Sequence, residues 1–175
     1  NLEKKFLAYS KMPLLLEAQE KWDDFLENKI TNYEKLRNFD YGPTNKSSVS
    51  KLSPYISHRV LLEYELLEEV KKKYHSQKIN KFVEEIYWRI YWQGWMENRP
   101  KVWCNFISEN DYEFDIETYE KAINGNSELG FFNSWVNELK TYNYLHNHTR
   151  MWFASTWIFN LGLPWQLGAS FFFKH

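Results

Sequence analysis

The chain has 175 residues and a formal net charge of −1, so its overall charge gives no reason to expect nucleic acid or an anionic membrane as a partner. The length suffices for a sizeable core, and we predict one domain over residues 1–175. The lone Cys104 excludes an internal disulfide, the sequence has no Cys/His metal spacing, and no leader-like apolar segment is visible, so we expect a cytoplasmic protein. The 9 Trp, 12 Tyr and 13 Phe residues predict a large aromatic core.

The first half of the chain has the apolar spacing of helices. Residues 3–37 repeat apolar positions every three or four residues, and 38–50 form a polar loop with a Gly-Pro break. Ser53 and Pro54 are typical of an N-cap followed by proline at the first helical position, and the pattern predicts one helix from there to about residue 74. The lysines at 71–73 suit the solvated C-terminal end of that helix.

The second half is also predicted to be helical, with a less regular acidic segment at 104–127. Helices are predicted at 79–97 and from Phe132 to Tyr142, and Gly125-Asn126 marks a break between elements. No segment alternates as a strand does, so the prediction is an all-α fold. Several further tryptophans are predicted to be core residues: Trp22, Trp92, Trp95, Trp103, Trp135, Trp152 and Trp157.

Residues 151–173 carry no formal charge, and the run is long enough to cross a bilayer. Gly162-Leu163-Pro164 interrupts it near the middle, and basic flanking residues are missing on one side. We therefore predict two short buried helices and no membrane contact, with a bilayer span as the alternative.

Four segments, in order, resemble motifs of the DNA photolyase and cryptochrome family. They are YEKLRNF (33–39), SKLSPYIS (50–57), FVEEIYWRIYW (82–92) and HNHTRMWFAS (146–155). The resemblance runs over about residues 33–175 and implies the family's multi-helix FAD-binding domain. The family's preceding antenna domain and its later Asp-Gly-Asp and Asn elements have no counterpart in this sequence, so a C-terminally truncated domain is expected.

The resemblance implies a set of FAD-binding residues. Hydroxyl, cationic and helix-start groups would lie at the FAD phosphates, although Lys51 replaces the usual arginine and Val49 the usual threonine. An ordinary helix N-cap at Ser53 is the alternative. Phe82 would line the flavin pocket, and Asn147 and Arg150 would lie near the flavin ring. The implied phosphate-binding residues are Tyr33, Ser50, Lys51, Leu52, Ser53 and Arg89.

The resemblance also implies a substrate side. Glu85 would hydrogen-bond a pyrimidine dimer, Trp88 would pack against it and Met151 would touch it. Glu85 and Trp165 are the implied catalytic residues, since Trp165 matches the middle of three tryptophans that pass electrons to the flavin. The exposed member of that series would fall near residue 112, where Tyr112 stands. A Glu85–Arg89 surface pair beside a core tryptophan is the alternative interpretation.

Three functions follow from the resemblance. The parent protein is expected to be a light-driven deoxyribodipyrimidine photolyase, which repairs pyrimidine dimers in damaged DNA by electron transfer from reduced FAD. A cryptochrome-like blue-light photoreceptor is the alternative, favoured by His148, where many family members have an arginine that grips a DNA phosphate. The third is an inactive helical fragment that does not hold FAD alone. An incomplete bundle would expose apolar surface, so self-association is also expected.

Overall fold

The computed structural model describes residues 2–44, 48–108 and 112–175, with side chains from Leu14 onward except that of Ser76. Ten α-helices and no strand occur within these ranges, which confirms the all-α prediction. The helices are α1 (Leu2–Asn28), α2 (Tyr33–Leu36), α3 (Ser53–Ser57), α4 (Glu63–Lys73), α5 (Ser76–Glu97), α6 (Pro100–Ile107), α7 (Ile116–Asn124), α8 (Gly130–Tyr142), α9 (Asn147–Ser155) and α10 (Trp165–Lys174).

The helices fall into two compact units. The first contains Asn1–Phe39 and Ser47–Trp95, and the second contains Asp40–Lys46 and Met96–His175. The first unit therefore holds α1 to α4 and most of α5, while the second holds α6 to α10. The single domain over 1–175 stays a prediction.

The core of the first unit is a cluster of aromatic rings between α1 and α5. Trp22, Phe25 and Phe82 are buried, with ring centroids 5.1 to 6.0 Å apart. The indole of Trp22 donates a hydrogen bond to Glu69 Oε2 at 2.7 Å, which satisfies its polar atom inside the core. These contacts join three helices and set the position of the inward face of α5.

The predicted helix from Ser53 to about residue 74 is wrong, because the structure divides it into α3 and α4. Arg59 has a φ of 57°, in the left-handed region that ends helices. The amide of Val60 then bonds back to the carbonyl of Tyr55 at 2.8 Å, which turns the chain. Ser53 is also the first residue of α3 and not its cap; Leu52 precedes the helix and no side chain caps it.

The core of the second unit is formed by α8, α9 and α10. Phe132, Phe153, Trp157 and Phe171 are buried there, and the Trp157 indole donates to the carbonyl of Pro164 at 2.9 Å. A π-helical turn at Thr156–Asn160 continues α9, and Gly162 then breaks the chain with a φ of 64°. The prediction of two helices around this break is confirmed, but the prediction that they are buried is wrong for one side of each, since Phe159 and Phe173 are 81% and 80% exposed. No helix in the described ranges is long and apolar enough to span a membrane.

The acidic segment at 104–127, predicted to be irregular, contains the end of α6 and all of α7. Asp115 caps α7 by accepting hydrogen bonds from the amides of Glu117 and Thr118. Gly125, with a φ of 67°, ends the helix in the left-handed conformation, as the predicted break requires. Aspartate is a favoured N-cap residue, so Asp115 could have predicted the start of α7. The acidic residues around it made this position hard to distinguish.

Several tryptophans predicted to be core residues lie at the surface. Trp22 and Trp157 are buried, but Trp92, Trp103 and Trp152 are about half-exposed. The sequence could not distinguish buried from exposed tryptophans. Helices such as α5 carry apolar residues around most of their circumference, and the other described residues pack against only part of it. The exposed aromatic surface is compatible with the expected self-association, which stays a prediction.

Candidate functional site

The candidate site residues are divided between the two units. The first unit contains the residues implied for the FAD phosphates and for most of the substrate side: Tyr33, Ser50, Lys51, Leu52, Ser53, Phe82, Glu85, Trp88 and Arg89. The second unit contains Asn147, Arg150, Met151 and Trp165. Each group has its own local geometry.

Glu85 lies at the centre of a charged cluster in the first unit. Its Oε1 atom is 2.7 Å from Arg37 Nη1 and 3.9 Å from Lys81 Nζ. The alternative, a Glu85–Arg89 pair, does not form, because Arg37, the residue after α2, pairs with Glu85 instead. Arg37 was missed as a site residue, although it is the arginine of the YEKLRNF motif.

Tyr33 joins this cluster through its half-buried hydroxyl. Burial raises the pKa of Tyr33, and the nearby negative charge of Glu85 raises it further, while Arg37 opposes both effects. The Tyr33 ring meets the rings of Phe25 and Phe82 edge-on, at 5.7 and 5.5 Å. Tyr33 thus connects the aromatic core to the charged cluster.

Arg89 occupies a second polar cluster, formed with α3 and α4. Its Nη2 atom donates to Ser57 Oγ at 2.7 Å, and its Nε atom is 3.5 Å from Glu63 Oε1. The Nε atom is buried and makes no hydrogen bond within the described residues. Glu63 is itself buried, and its other oxygen is 3.0 Å from Arg59 Nη1. Two guanidinium groups thus share one carboxylate. The cluster has one positive charge in excess, which suits an anion.

The implied phosphate-binding segment precedes α3. Lys51 has a φ of 54°, a left-handed conformation that is uncommon for a residue with a side chain. Leu52 is buried in the core of the first unit, whereas Ser53 is exposed. The buried Leu52 anchors the segment, so that Lys51 and Ser53 are held at defined positions on either side of it.

Phe82 and Trp88 lie on the same helix but in different surroundings. Phe82 is buried against Trp22 and Phe25. Trp88 is 52% exposed, and its ring meets that of Tyr91 edge-on at 5.6 Å. Of the two, only Trp88 presents a face on which a planar ligand could stack.

The second unit presents Asn147, Arg150 and Met151 from the first turns of α9, all exposed. Buried His146 caps this helix, since its Nδ1 atom accepts from the amide of His148 at 3.2 Å. The guanidinium of Arg150 lies over the Phe172 ring, 5.1 Å from its centroid. Arg150 makes no ion pair among the described residues, and its exposure means that this carries no large desolvation cost.

A hydrogen bond fixes α9 to Asp40, which lies between α2 and α3 in the sequence. Buried Thr149 donates from its hydroxyl to the Asp40 carboxylate. Burial raises the pKa of nearby Tyr144, and the negative charge of Asp40 adds to this effect. The start of α9 therefore has a defined position relative to Asp40.

Trp165 begins α10 and is 40% exposed. Its indole stacks on the ring of Phe106, with centroids 6.3 Å apart and planes at 27°. Phe106 in turn lies 5.4 Å from the ring of Trp103. Trp165 thus belongs to an aromatic series that reaches α6.

Sequence comparison relates the chain to proteins named deoxyribodipyrimidine photolyase. The protein of Agrobacterium fabrum is 24% identical over 162 residues, covering 89% of this chain and 33% of its own length. That of Buchnera aphidicola is 26% identical and covers 80% of this chain and 33% of its own length. The mitochondrial protein of Saccharomyces cerevisiae is 26% identical, with 87% and 29% covered. No family model matches the sequence.

The fold agrees with these comparisons. The crystal structure of a bacterial class III photolyase from Agrobacterium tumefaciens superposes with a TM-score of 0.74, at 22% identity, over 90% of this chain and 33% of that one. The fold is therefore that of the helical part of a photolyase. With the sequence similarity, it confirms the predicted resemblance: the chain is similar in sequence and in fold to deoxyribodipyrimidine photolyases. It spans about a third of the length of the curated relatives it matches.

Proposed function

We propose that this chain is the FAD-binding helical part of a light-driven deoxyribodipyrimidine photolyase. The observation that carries the proposal is the combination of photolyase-like sequence over 80% or more of the chain with the fold of a class III photolyase. The photolyase name belongs to the relatives, and the activity, the substrate and the cofactor are inferred for this protein.

The donor set of the first unit fits a diphosphate group. Arg89 has a buried Nε atom that makes no hydrogen bond within the described residues, although it is ion-paired with Glu63 at 3.5 Å, and a guanidinium with several N–H donors suits a phosphate oxygen. Lys51 lies just before α3 and Ser53 is the first residue of that helix; they would add a positive charge and a hydroxyl donor. Tyr33 would contribute a hydroxyl donor, and burial raises the pKa of that hydroxyl above its ordinary value.

FAD, when bound and reduced, would supply the light-driven electron that splits a pyrimidine dimer. The chain's own residues position the reactants. Glu85, held by Arg37, would accept hydrogen bonds from the dimer bases, and the exposed indole of Trp88 would stack against the flipped-out dimer. Exposed Met151 would pack on the dimer, while Asn147 and Arg150 would face the flavin ring.

The first test is an absorption spectrum of the purified chain after incubation with FAD and removal of free cofactor. We expect a retained flavin band with resolved vibrational structure, and a weakened band in Arg89→Gln. Lys78→Gln, an exposed change on the same helix, is the matched control and should retain the flavin. Loss of flavin from the unaltered chain would contradict cofactor binding by this chain and favour the inactive fragment.

The second test is repair of an oligonucleotide that contains a thymine dimer, under blue light with a reductant. We expect light-dependent repair that Glu85→Gln lowers. Flavin retention without repair would contradict the photolyase assignment and favour a photoreceptor that signals through a partner.

A further inference from the structure

Glu63 is a buried carboxylate between two arginines, and it lies outside the four segments that resemble family motifs. Its Oε2 atom is 3.0 Å from Arg59 Nη1, and its Oε1 atom is 3.5 Å from Arg89 Nε. It is the first residue of α4, where the positive end of the helix dipole also favours a negative charge. Burying a carboxylate is costly unless cations compensate it, so the placement of Glu63 depends on the two arginines.

The Arg89 guanidinium is held along one edge. The Nε and Nη2 atoms lie on the same side of this planar group; Nε meets Glu63, and Nη2 donates to Ser57 Oγ at 2.7 Å. Two contacts on one edge fix the plane of the group as well as its position. Nη1 makes no hydrogen bond in the part of the chain that the structure describes, and the side chain is 33% exposed. A ligand can therefore reach a guanidinium whose orientation the protein sets.

Arg59 keeps this cluster cationic. Two arginines and one carboxylate leave an excess of one positive charge. Without Arg59, the carboxylate of Glu63 would neutralise the charge of Arg89, and the attraction to an anion would weaken. With Arg59 present, Glu63 can hold Arg89 while the cluster still attracts an anion.

We propose that Glu63 is a positioning residue that orients Arg89 for a diphosphate, and that Arg59 offsets the charge of Glu63. The proposal rests on the proposed function, in which Arg89 meets the FAD phosphates. A planar guanidinium binds phosphate oxygens through paired N–H groups, so its angle matters as well as its charge. A long side chain that is held before binding also loses less conformational entropy when the ligand arrives.

Orientation and charge predict opposite effects of removing Glu63. A carboxylate repels a nearby phosphate, so charge alone predicts that Glu63→Gln strengthens anion binding. Orientation predicts weaker binding, because Arg89 loses a contact that fixes it. The double variant Arg59→Gln/Glu63→Gln keeps the net charge of the parent chain, since it loses one charge of each sign. Arg59→Gln alone retains Glu63 and is the control for orientation.

The test follows the Arg89 Nε–H group by nuclear magnetic resonance and uses inorganic pyrophosphate as the ligand. The signal is assigned by its absence from Arg89→Lys. We expect slow exchange of this proton with water in the parent chain and in Arg59→Gln, and fast exchange in the double variant. Calorimetry should show that the double variant binds pyrophosphate about three- to tenfold more weakly than the parent chain. Urea unfolding verifies that each variant is folded.

Four results would overturn the proposal. Fast exchange of the Arg89 proton in the parent chain would do so without any variant, so the test does not depend on whether a change at buried Glu63 is tolerated. The others are slow exchange in the folded double variant, pyrophosphate binding there as tight as in the parent chain, and no binding of pyrophosphate by the parent chain. None of these measurements uses FAD or DNA. A chain that passes them but retains no flavin would contradict the proposed function alone.

Discussion

Arg37 and Glu85 form an ion pair in which Nη1 and Oε1 are 2.7 Å apart. The pair connects the residue that follows α2 to α5, and its two members are 48 positions apart in the sequence. Its side chains are 22% and 28% exposed, so solvent screens it less than a typical surface pair. The carboxylate proposed to meet the substrate is therefore already held in place by the protein.

This pair should contribute measurably to stability. In a double-mutant cycle with Arg37→Gln and Glu85→Gln, we expect a coupling free energy of about 1 kcal/mol, the upper end for partly exposed pairs. The measurement is urea unfolding of the two single variants and the double variant. The Lys72–Glu68 pair, at 3.4 Å and well exposed, is the control, with an expected coupling of roughly 0.3 kcal/mol. Equal coupling in the two cycles would contradict the special position of Arg37.

Phe82 should be primarily a core residue. Because its ring packs against Trp22, Phe25 and Tyr33, Phe82→Ala should lower the free energy of unfolding by roughly 3 to 5 kcal/mol. Phe159→Ala is the control: its side chain is 81% exposed, and a change within about 0.5 kcal/mol is expected. Thermal unfolding followed by circular dichroism measures both variants. A mild effect of Phe82→Ala would mean that this ring faces a cavity.

Gly168 should not tolerate a side chain. A Cβ atom there would lie 3.1 Å from the ring of Trp157, which is buried and fixed by its hydrogen bond to Pro164. We expect Gly168→Ala to lower stability by about 1 kcal/mol, since overpacking outweighs the gain in helix propensity.

Gly94→Ala is the matched control within a helix. A Cβ atom at position 94 meets nothing within 4 Å, so the substitution should raise stability by about 0.5 to 1 kcal/mol. The urea midpoints of the two variants should therefore move in opposite directions. Stabilisation by both substitutions would show that α10 and Trp157 are less tightly packed than the structure has them.

Tyr33 should make folding sensitive to alkaline pH. Its pKa is raised in the folded state, chiefly by burial, so above pH 10 the unfolded chain loses the tyrosine proton first. The contribution of Tyr33 is therefore complete below about pH 10 and is lost as the pH rises through the folded-state pKa. Urea unfolding between pH 9 and 11 should show a shallower fall in stability for Tyr33→Phe than for the parent chain. Parallel curves would mean that the hydroxyl is well solvated.

Much of the fold follows from local patterns. The apolar spacing of Trp22, Phe25 and Leu26 identified the buried face of α1, and Gly162 with Pro164 identified the break before α10. Both succeed because side-chain periodicity and backbone restriction act within a few residues. The same spacing could not show that the left-handed Arg59 ends α3, since no glycine marks that position.

For the candidate site, too, the sequence predicted some features and the tertiary structure decided others. The motifs alone identified Glu85, Trp88 and Arg89 as residues of one helix, because residues three and four apart share a helix face. Only the tertiary structure decided their partners: Arg37 for Glu85, and Ser57 with Glu63 for Arg89. Those partners come from other helices, and which distant side chain reaches a charge depends on how the helices pack. The sequence by itself thus determined the helices and the chemical groups they carry, while packing decided which groups meet.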